Sequence, residues 1–407
     1  MQAFNVDQVR ADFPILAERV HGKPLVYLDS ANTSQKPEAV LKAMDDYYRH
    51  ANANIHRATH LLSERATALY EGSRAKAAAF LNAPDLRTIV LTKGTTDGIN
   101  LVAQSYGRST LKPGDEILLT WLEHHANIVP WQLVAEQTGA VIKVVPINEA
   151  GELDLDQYAA LLSSRTKIVA IGHVSNALGT INPVKVMIAQ AHATDAVVLI
   201  DGAQATPHLV VDVQALDCDF YVLSSHKMYG PTGTGVLYGR AALLEAMPPY
   251  QGGGDMIASV TFEKTLYNQV PYKFEAGTPN MAGVVGLGAA IDYLAGIDRD
   301  AALAHEDAVL DYATAQVRQI PGARIVGEAK HKTGVLSFVL DGVHPHDAGT
   351  IMDQQGVAVR TGQHCAQPVM DRFGIPATIR ASLGIYNTRE DIDALVRGLH
   401  KVRELFV

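Results

Sequence analysis

The stretch that decides the fold reads Phe220-Tyr221-Val222-Leu223-Ser224-Ser225-His226-Lys227-Met228-Tyr229-Gly230-Pro231. Its first four residues predict a buried strand, which ends on hydroxyls, a histidine and a lysine. Because an unpaired ammonium is costly to desolvate, a lysine at the mouth of a buried strand is unusual. Desolvation also lowers the pKa of a lysine and makes its amine a nucleophile toward aldehydes. Lys227 is therefore a candidate Schiff-base lysine, with an ordinary surface loop lysine as the commoner alternative.

Around this stretch, apolar strands alternate with helices. The other predicted strands are Thr88–Thr92, Glu116–Leu119, Val141–Val145, Lys167–Ile171, Val197–Asp201 and Gly235–Tyr238. Continuous apolar strands alternating with helices predict an α/β fold, with a mainly parallel seven-stranded sheet covered on both faces. The short connection from the 220–223 strand to the 235–238 strand predicts an antiparallel edge.

The chain has 407 residues, which is too many for one ordinary core, so we expect two domains. We assign residues 21–297, including a short strand at 25–29, to a large domain. From residue 298 the pattern changes to helix, strand, helix, strand, helix, which predicts a small C-terminal α+β domain over 298–407. Residues 1–20 are expected to pack with the small domain.

Composition excludes several classes of protein. A net charge of -9 argues against nucleic acid as a partner, because phosphate binding needs a basic face. Two cysteines, far apart, exclude a disulfide framework and fit a reducing compartment. There is no signal-peptide pattern and no apolar run approaching the ~18 residues that span a bilayer. We therefore expect a soluble, cytoplasmic protein with no membrane partner.

Polar residues gather where the predicted strands end. Gly94, Thr95 and Thr96 open a helix after the 88–92 strand and suit a phosphate, although Thr95 as a plain N-cap is equally plausible. After the 116–119 strand come His124 and His125, of which at most one is expected to enter a site, by stacking on a flat ring or moving protons. A metal site is disfavoured, because no carboxylate or thiol stands at ligand spacing.

The next strand ends add an amide and a carboxylate. Asn176 follows the 167–171 strand, and Asp201 ends the next strand, with Gln204 just beyond it. A carboxylate at the edge of a dry core needs a cation or several hydrogen bonds, although Asp201 could simply cap the following helix. A protonated pyridine nitrogen would be such a cation. A phosphate cup, a stacking histidine, a carboxylate and a lysine together predict a pyridoxal phosphate site.

The C-terminal part contributes a cysteine and two arginines. Cys365 lies between Arg360, Gly362 and His364 in a loop, where a reactive low-pKa thiolate is expected. Cys218, with Leu216 and Phe220 two residues away on either side, fits the usual role of a small buried hydrophobe. Arg380 is the better arginine for a substrate carboxylate, because a guanidinium binds carboxylates through two parallel bonds.

At this point the chain resembles the class V aminotransferase-like, fold-type I pyridoxal phosphate enzymes, and within them the group II (SUF-type) cysteine desulfurases, also called selenocysteine lyase-like. The resemblance covers essentially the whole chain. Its motifs are Tyr27-Leu28-Asp29-Ser30-Ala31, Asn54-Ile55-His56-Arg57, Gly94-Thr95-Thr96, Glu123-His124-His125-Ala126-Asn127, Asp201-Gly202-Ala203-Gln204, Ser224-Ser225-His226-Lys227, Phe274-Glu275-Ala276-Gly277-Thr278-Pro279 and Arg360-Thr361-Gly362 with Cys365. Asp97 and Asn32-Thr33 depart from the usual pattern, near the expected entrance of the site.

The resemblance implies a role for each matching residue. Lys227 would hold the cofactor and move the substrate Cα proton, Asp201 would bind the pyridinium, and His124 would stack on the ring. The remaining cofactor contacts would come from Thr95, Thr96, Asn176, Gln204, Ser224, His226 and, across a homodimer with shared sites, Thr278. The substrate carboxylate would be bound by Asn176 and Arg380, with His56 and Arg360 nearby.

The resemblance also implies the reaction. L-cysteine would become L-alanine, with the sulfur held as a persulfide on Cys365 and passed to an acceptor protein of the SUF system for iron–sulfur cluster assembly. Alternatives are a selenocysteine lyase acting on L-selenocysteine, and an aminotransferase or kynureninase-like lyase, which the Arg360-to-Cys365 motif disfavours. A scaffold without chemistry is disfavoured because Lys227, Asp201 and Cys365 are all present.

Overall fold

The computed structural model describes residues 4–406, so the first three residues of the predicted N-terminal segment 1–20 lie outside it. Across this range, no helix is by itself long and apolar enough to cross a membrane. The helices Met281–Ala295 and Arg299–Arg318 meet that requirement only as a pair, bent by 85°.

The strands and helices are numbered in chain order. The strands are β1 (Arg19–Val20), β2 (Lys23–Pro24), β3 (Val26–Leu28), β4 (Ile89–Thr92), β5 (Glu116–Thr120), β6 (Val141–Val145), β7 (Thr166–Gly172), β8 (Val197–Asp201), β9 (Phe220–Ser224), β10 (Gly235–Gly239), β11 (Ile257–Val260), β12 (Thr265–Tyr267), β13 (Ala323–Val326), β14 (Val335–Leu340), β15 (Val357–Gly362) and β16 (Thr378–Ser382). The helices are α1 (Val6–Ala11), α2 (Glu38–His50), α3 (Leu61–Phe80), α4 (Thr95–Val102), α5 (Arg108–Thr110), α6 (Val129–Thr138), α7 (Leu155–Leu161), α8 (Val184–His192), α9 (Val213–Leu216), α10 (Ala241–Ala246), α11 (Met281–Ala295), α12 (Arg299–Arg318), α13 (Pro345–Gln354), α14 (Gln367–Arg372) and α15 (Arg389–Phe406).

The large sheet has seven strands in the order β4-β10-β9-β8-β7-β5-β6, and its central strands run parallel. This agrees with the predicted fold class. The antiparallel strand, however, is not at the edge as expected, because β10 pairs with both β9 and β4. Glycines at the ends of β4 and β10 permit the pairing, since a Cβ on Gly235 would lie 2.5 Å from the Cα of Gly94.

Side chains of β9 explain how this sheet is covered on both faces. Phe220 and Val222 point into one apolar core, together with Trp131 of α6. Tyr221 and Leu223 point into the opposite core, which includes Met187 of α8. Alternate side chains of a strand face opposite sides, so an unbroken apolar run is what a doubly covered strand requires.

A second, five-stranded sheet has the order β13-β14-β16-β15-β3. The 25–29 strand, which we assigned to the large domain, is therefore misplaced: β3 pairs in parallel with β15, Val26 opposite Val357. Leu28 is fully buried in the core of this sheet with Phe338 and Ile379, and that burial explains the pairing. We propose that the small domain comprises β3 together with residues 298–407.

The N-terminal segment contacts both parts of the chain. The Arg10 guanidinium donates to the Tyr386 carbonyl at 2.6 Å and pairs with Asp391 at 2.9 Å. Phe13 packs edge-on against Tyr386 and also against Tyr229, which follows the Lys227 turn. The segment thus links the small sheet to the stretch that carries the candidate lysine.

Candidate active site

A cavity of about 180 Å³ opens where the carboxyl ends of the large sheet meet the loop after β15. Of the predicted site residues, those that line it are Thr95, Thr96, His124, Asn176, Asp201, Gln204, Ser224, His226, Lys227, Arg360, Cys365 and Arg380. The residues that sequence reasoning did not place in a site include Leu122, Glu123, Ala126, Gly172, Val174, Ala203 and His364. Parallel strands bring their carboxyl ends to one edge, which explains this convergence.

Lys227 ends a short 3-10 turn that directly follows β9. Burial lowers the pKa of Lys227 to about 8, although the carboxylate of Asp201 acts in the opposite direction. A substantial fraction of this amine is therefore unprotonated at mildly alkaline pH, as a nucleophile or a base requires.

Asp201 is the last residue of β8 and is buried. One of its oxygens accepts a hydrogen bond from the Ala203 amide at 2.9 Å. Asp201 therefore caps the turn that follows β8, which is close to the alternative role of helix cap that we considered for it. The carboxylate also lines the cavity, and burial raises its pKa, opposed by the charge of Lys227. Gly202 permits this turn, because any Cβ there would overlap the Tyr221 ring. The carboxylate is thus positioned to receive a cationic ligand.

His124 lines the cavity with its ring fixed by a hydrogen bond in which Nδ1 accepts from the Ala126 amide at 3.0 Å. Burial, followed by the charge of Lys227, lowers the pKa of His124 to about 3. The ring is consequently neutral at physiological pH and presents a flat, uncharged surface.

Glu123 is a cavity residue that sequence reasoning named only as part of a motif. Its carboxylate accepts hydrogen bonds from Thr120 Oγ1 at 2.6 Å, the Gly172 amide at 3.1 Å and Asn127 Nδ2 at 2.7 Å. Burial raises the pKa of Glu123 to about 7. Its position just after β5, next to His124, is the sequence feature that could have predicted Glu123 as a site residue.

The start of α4 forms an anion-binding cup. Its N-cap is Gly94 rather than Thr95, which is the first helical residue. The Thr95 amide donates to Ser224 Oγ at 2.8 Å, and the two hydroxyls lie 2.9 Å apart. Free amides of a first helical turn and adjacent hydroxyls together favour a phosphate.

Two predicted amide side chains are partly engaged in holding loops. Gln204 Nε2 donates to the Ala31 carbonyl at 2.6 Å. Asn176 Nδ2 donates to the His364 carbonyl at 2.6 Å, while its Oδ1 is buried and has no partner among the described residues. Because Asn176 lines the cavity, a donor group of a ligand there would satisfy this oxygen.

Two arginines form a cationic wall of the cavity. Arg360 and Arg380 are register partners on β15 and β16. Arg380 is buried; it donates to the Asn176 carbonyl at 2.9 Å and pairs with Asp29 at 3.2 Å, while its Nε has no partner in the described part of the chain. Burial lowers the pKa of Arg380, opposed by Asp29. Two guanidiniums with one neighbouring carboxylate leave room for an anionic group.

Cys365 is exposed in the loop after β15, at the cavity wall. His364 and Cys365 both have left-handed backbone, with φ of 55° and 54°. This conformation costs roughly 1–2 kcal/mol per non-glycine residue, so neighbouring contacts must hold it. Cys218, by contrast, is buried, and burial raises its pKa to about 12, in agreement with the inert role expected for it.

His56 and Thr278 are not in this cavity. His56 lies in a second cavity of about 270 Å³, where its Nε2 contacts Glu71 Oε1 at 2.8 Å. Thr278 is exposed between Gly277 and Pro279, which line the same second cavity. The structure therefore does not bring His56, which we expected near the substrate carboxylate, to the first cavity; it contacts Glu71 of α3 instead.

The first cavity fits pyridoxal phosphate. Asp201 lines the cavity with a buried carboxylate that suits a pyridinium, and the α4 cup with Ser224 suits the phosphate. His124 offers a ring face, and Lys227 lines the same space. Among residues 4–406, no three His, Cys, Asp or Glu side chains group together as metal ligands.

Comparisons with known proteins agree with this geometry. The family described as "Aminotransferase class-V" matches residues 26–395. A cysteine desulfurase of Dickeya dadantii is 51% identical over 406 residues, covering 100% of this chain and 98% of that protein. A cysteine desulfurase of Synechococcus elongatus is 54% identical over 400 residues, which are 98% of this chain but only 64% of that protein.

A solved structure shows the same similarity to cysteine desulfurases at the level of the fold. The cysteine desulfurase CsdA of Escherichia coli, in its S-sulfonic acid form, superposes with a TM-score of 0.92 at 45% identity, with both chains covered completely. The chain belongs to the class-V aminotransferase family of pyridoxal phosphate enzymes and, within it, to the cysteine desulfurases.

Proposed function

We propose that the protein is an L-cysteine desulfurase that converts L-cysteine to L-alanine and takes the sulfur onto Cys365 as a persulfide. The observation that carries this proposal is that a thiol, an amine and a cationic wall share one cavity: Cys365, Lys227 and Arg380 all line it. An enzyme that only transferred amino groups would not need the thiol there.

Arg380 binds the substrate carboxylate in this proposal. Its Nε is buried and unpartnered among the described residues, and its charge is only partly balanced by Asp29. A carboxylate would satisfy the free donor, and Arg360 on the adjacent strand adds a second cation. With the carboxylate at this wall, the side-chain sulfur of cysteine lies in the same cavity that Cys365 lines.

Lys227 moves the Cα proton. When bound, pyridoxal phosphate supplies an aldehyde that bonds the substrate amine and a ring that accepts the electron pair left at Cα. The low pKa of Lys227, about 8, leaves its amine able to accept that proton, and neutral His124 faces the same space.

Sulfur transfer proceeds by attack of the Cys365 thiolate on the substrate sulfur. The new S–S bond forms as the Cβ–S bond breaks, and the electron pair of the broken bond remains on carbon, which is then protonated to give alanine. One cysteine and one enzyme thiol become one alanine and one enzyme persulfide, so atoms and electrons balance. An acceptor thiol then takes the terminal sulfur and regenerates Cys365.

The acceptor is proposed to be a protein of the SUF system that serves iron–sulfur cluster assembly. The exposed position of Cys365 supports delivery to another protein, because the thiol is open to solvent at the cavity wall. The presence of only two cysteines, both free, supports a reducing cytoplasm as the location.

A homodimer with shared sites is proposed as well. Thr278, expected at a neighbouring subunit's phosphate, is exposed beside the second cavity, as a residue that serves another chain must be. Exposed apolar side chains on α2 and α3, including Leu41, Tyr48 and Leu69, offer a surface for such an association.

The decisive test compares Cys365→Ala with Cys218→Ala on two substrates. We expect Cys365→Ala to lower alanine release from L-cysteine by about 10²-fold or more, while Cys218→Ala keeps full activity. Selenium can leave without thiol attack, so alanine release from L-selenocysteine should persist in both variants. Undiminished alanine release from L-cysteine by Cys365→Ala would overturn the persulfide mechanism.

A further inference from the structure

His125 is a residue of the cysteine desulfurase motif that the proposed chemistry does not use. It follows His124 directly, but its ring does not line the cavity. Instead it contacts the loop after β15 at two points. Its amide donates to the Cys365 carbonyl at 2.7 Å, and its Nε2 accepts a hydrogen bond from the Gln367 amide at 3.1 Å.

The second contact determines which ring nitrogen of His125 is the acceptor. A ring nitrogen that accepts from an amide carries no proton, so Nε2 accepts and Nδ1 remains as the donor position. Gln367 is the first residue of α14, where backbone amides lack partners within the helix. The His125 ring therefore caps the helix that begins immediately after the cysteine loop.

Three hydrogen bonds thus tie the cysteine loop to the large sheet, and we call them the loop clamp. They are Asn176 Nδ2 to the His364 carbonyl, the His125 amide to the Cys365 carbonyl, and the Gln367 amide to His125 Nε2. Each comes from a segment that follows a strand of the large sheet, β5 or β7.

The loop needs such a clamp because two successive residues in it are strained. His364 and Cys365 both have positive φ, which L-residues adopt singly and at a cost. Where the surrounding contacts do not impose it, this conformation relaxes toward ordinary backbone. Relaxation would rotate the Cys365 side chain relative to Lys227 and Arg380.

We propose that His125 is a positioning residue that holds the Cys365 thiol at the cavity through the loop clamp. It touches neither substrate nor cofactor, and it acts through the backbone of Cys365 and Gln367. The two adjacent histidines thereby divide the work: His124 faces the cofactor space and His125 sets the sulfur-accepting loop. The catalytic consequence of this inference rests on the proposed function.

The test uses hydrogen exchange and steady-state kinetics on the holoenzyme. His125→Leu removes the acceptor, His125→Gln keeps an acceptor at similar reach, and His344→Leu is the matched control. His344 is an exposed histidine whose ring likewise accepts a backbone amide at a helix start, that of His346 at 3.2 Å in α13. The exchange readout follows the amides of 364–367 with and without cofactor, so it does not depend on turnover.

We expect His125→Leu to speed exchange of the Gln367 amide and to lower kcat for L-cysteine, each by about fivefold, the effect of one ordinary hydrogen bond. KM should change little, because Arg380 is untouched. His125→Gln should restore most of both values, and His344→Leu should match wild type. Should His125→Leu not fold, His125→Ala removes the same acceptor.

Two results would overturn the inference. One is wild-type loop exchange and kcat in His125→Leu. The other is equal loss in His125→Leu and His125→Gln, which would assign the effect to ring packing instead of hydrogen bonding. Cys365→Ala, assayed in parallel, separates this failure from that of the proposed function: if it retains full activity, the persulfide mechanism itself is wrong.

Discussion

The two ends of the cavity are built differently. At the large-sheet end, Asp201 terminates a strand and Lys227 a short turn just after one, in positions fixed by a packed sheet. At the other end, Cys365 lies in an exposed loop with left-handed backbone, held by hydrogen bonds from outside the loop. The large-sheet end, which we call the cofactor end, is held by the packed core of the sheet. The Cys365 loop, which we call the sulfur end, is positioned by a few hydrogen bonds.

This difference fits the different demands on each end. A cofactor that stays bound needs a charge and a hydrogen-bond pattern that do not move, which a buried sheet edge provides. In the proposed function the Cys365 thiol receives sulfur and then presents it to another protein, which requires access that burial would remove. Substitutions at the two ends should therefore differ in size and in kind.

The largest effect is expected at the rigid end. Lys227→Ala should lower the turnover of L-cysteine by about 10³-fold or more, because in the proposed mechanism Lys227 is both the base and the attachment to the cofactor. Its visible absorbance after addition of pyridoxal phosphate should also be lost. Lys332→Ala is the control, since burial likewise lowers the pKa of Lys332 to about 8, outside the cavity. A coloured, active Lys227→Ala enzyme would contradict the assignment.

A smaller effect is expected at the cationic wall between the two ends. Arg380→Lys keeps the charge but loses the planar donor pair, so KM for L-cysteine should rise about tenfold to 100-fold, with a lesser change in kcat. Arg299→Lys is a suitable control, because Arg299 donates to the Thr206 and Leu209 carbonyls away from the cavity. An unchanged KM in Arg380→Lys would place carboxylate binding elsewhere.

The loop end should show an acid-sensitive stability. Burial lowers the pKa of His364 to about 3, against about 6.5 in an unfolded chain. As the pH falls, His364 therefore takes up a proton in the unfolded state before it does so in the folded state. Its contribution to the free energy of unfolding is fully present above pH 6.5 and is lost as the pH falls toward 3. Urea unfolding of the cofactor-free protein measures this. Between pH 7.5 and 5, the free energy of unfolding should fall by about 1–2 kcal/mol less in His364→Asn than in wild type.

Asparagine suits this position because it tolerates left-handed backbone and does not titrate. His344→Asn, at an exposed site, should leave the pH dependence as it is in wild type. If His364→Asn leaves the pH dependence unchanged, the buried histidine is not a source of acid sensitivity.

The smallest effect tests backbone strain in the loop. Cys365→Gly should unfold with a free energy about 1 kcal/mol higher than Cys365→Ala, because glycine adopts a φ of 54° without a steric penalty. In a regular helix alanine should be the more stable of the two residues, so Ala394→Gly in α15 should lower the free energy of unfolding. Thermal or urea unfolding measures both pairs, and a more stable Cys365→Ala would mean that the loop is relaxed.

Much of the site could be predicted because the residues follow strands. An apolar run that ends on a polar residue marks a carboxyl end of the sheet, and this rule alone brought Thr95, Asn176, Asp201 and Lys227 to one edge. The same rule also applies to Glu123, which follows β5. A buried carboxylate that accepts hydrogen bonds from neutral donors, however, has no distinctive local sequence pattern.

Long-range features were the ones that local patterns missed. The strand 26–28 reads like any short apolar strand, and only tertiary packing decides that Leu28 belongs to the small sheet. The position of β10 depends on the close approach of Gly94 and Gly235, which are far apart in sequence. The proposed role of His125 depends on a contact to Gln367, which no spacing rule relates to it.

The pairing of β3 with β15 also affects how the protein is made. Val26 leaves the ribosome early, but its partner Val357 follows only after roughly 330 further residues. At ordinary elongation rates of about 5–20 residues per second, the small sheet stays incomplete for roughly 15–70 seconds. The large sheet is synthesised within that interval, since its last strand, β10, ends at Gly239, well before Val357. The nascent chain can thus assemble its cofactor end first, and the thiol end closes only when synthesis is nearly finished.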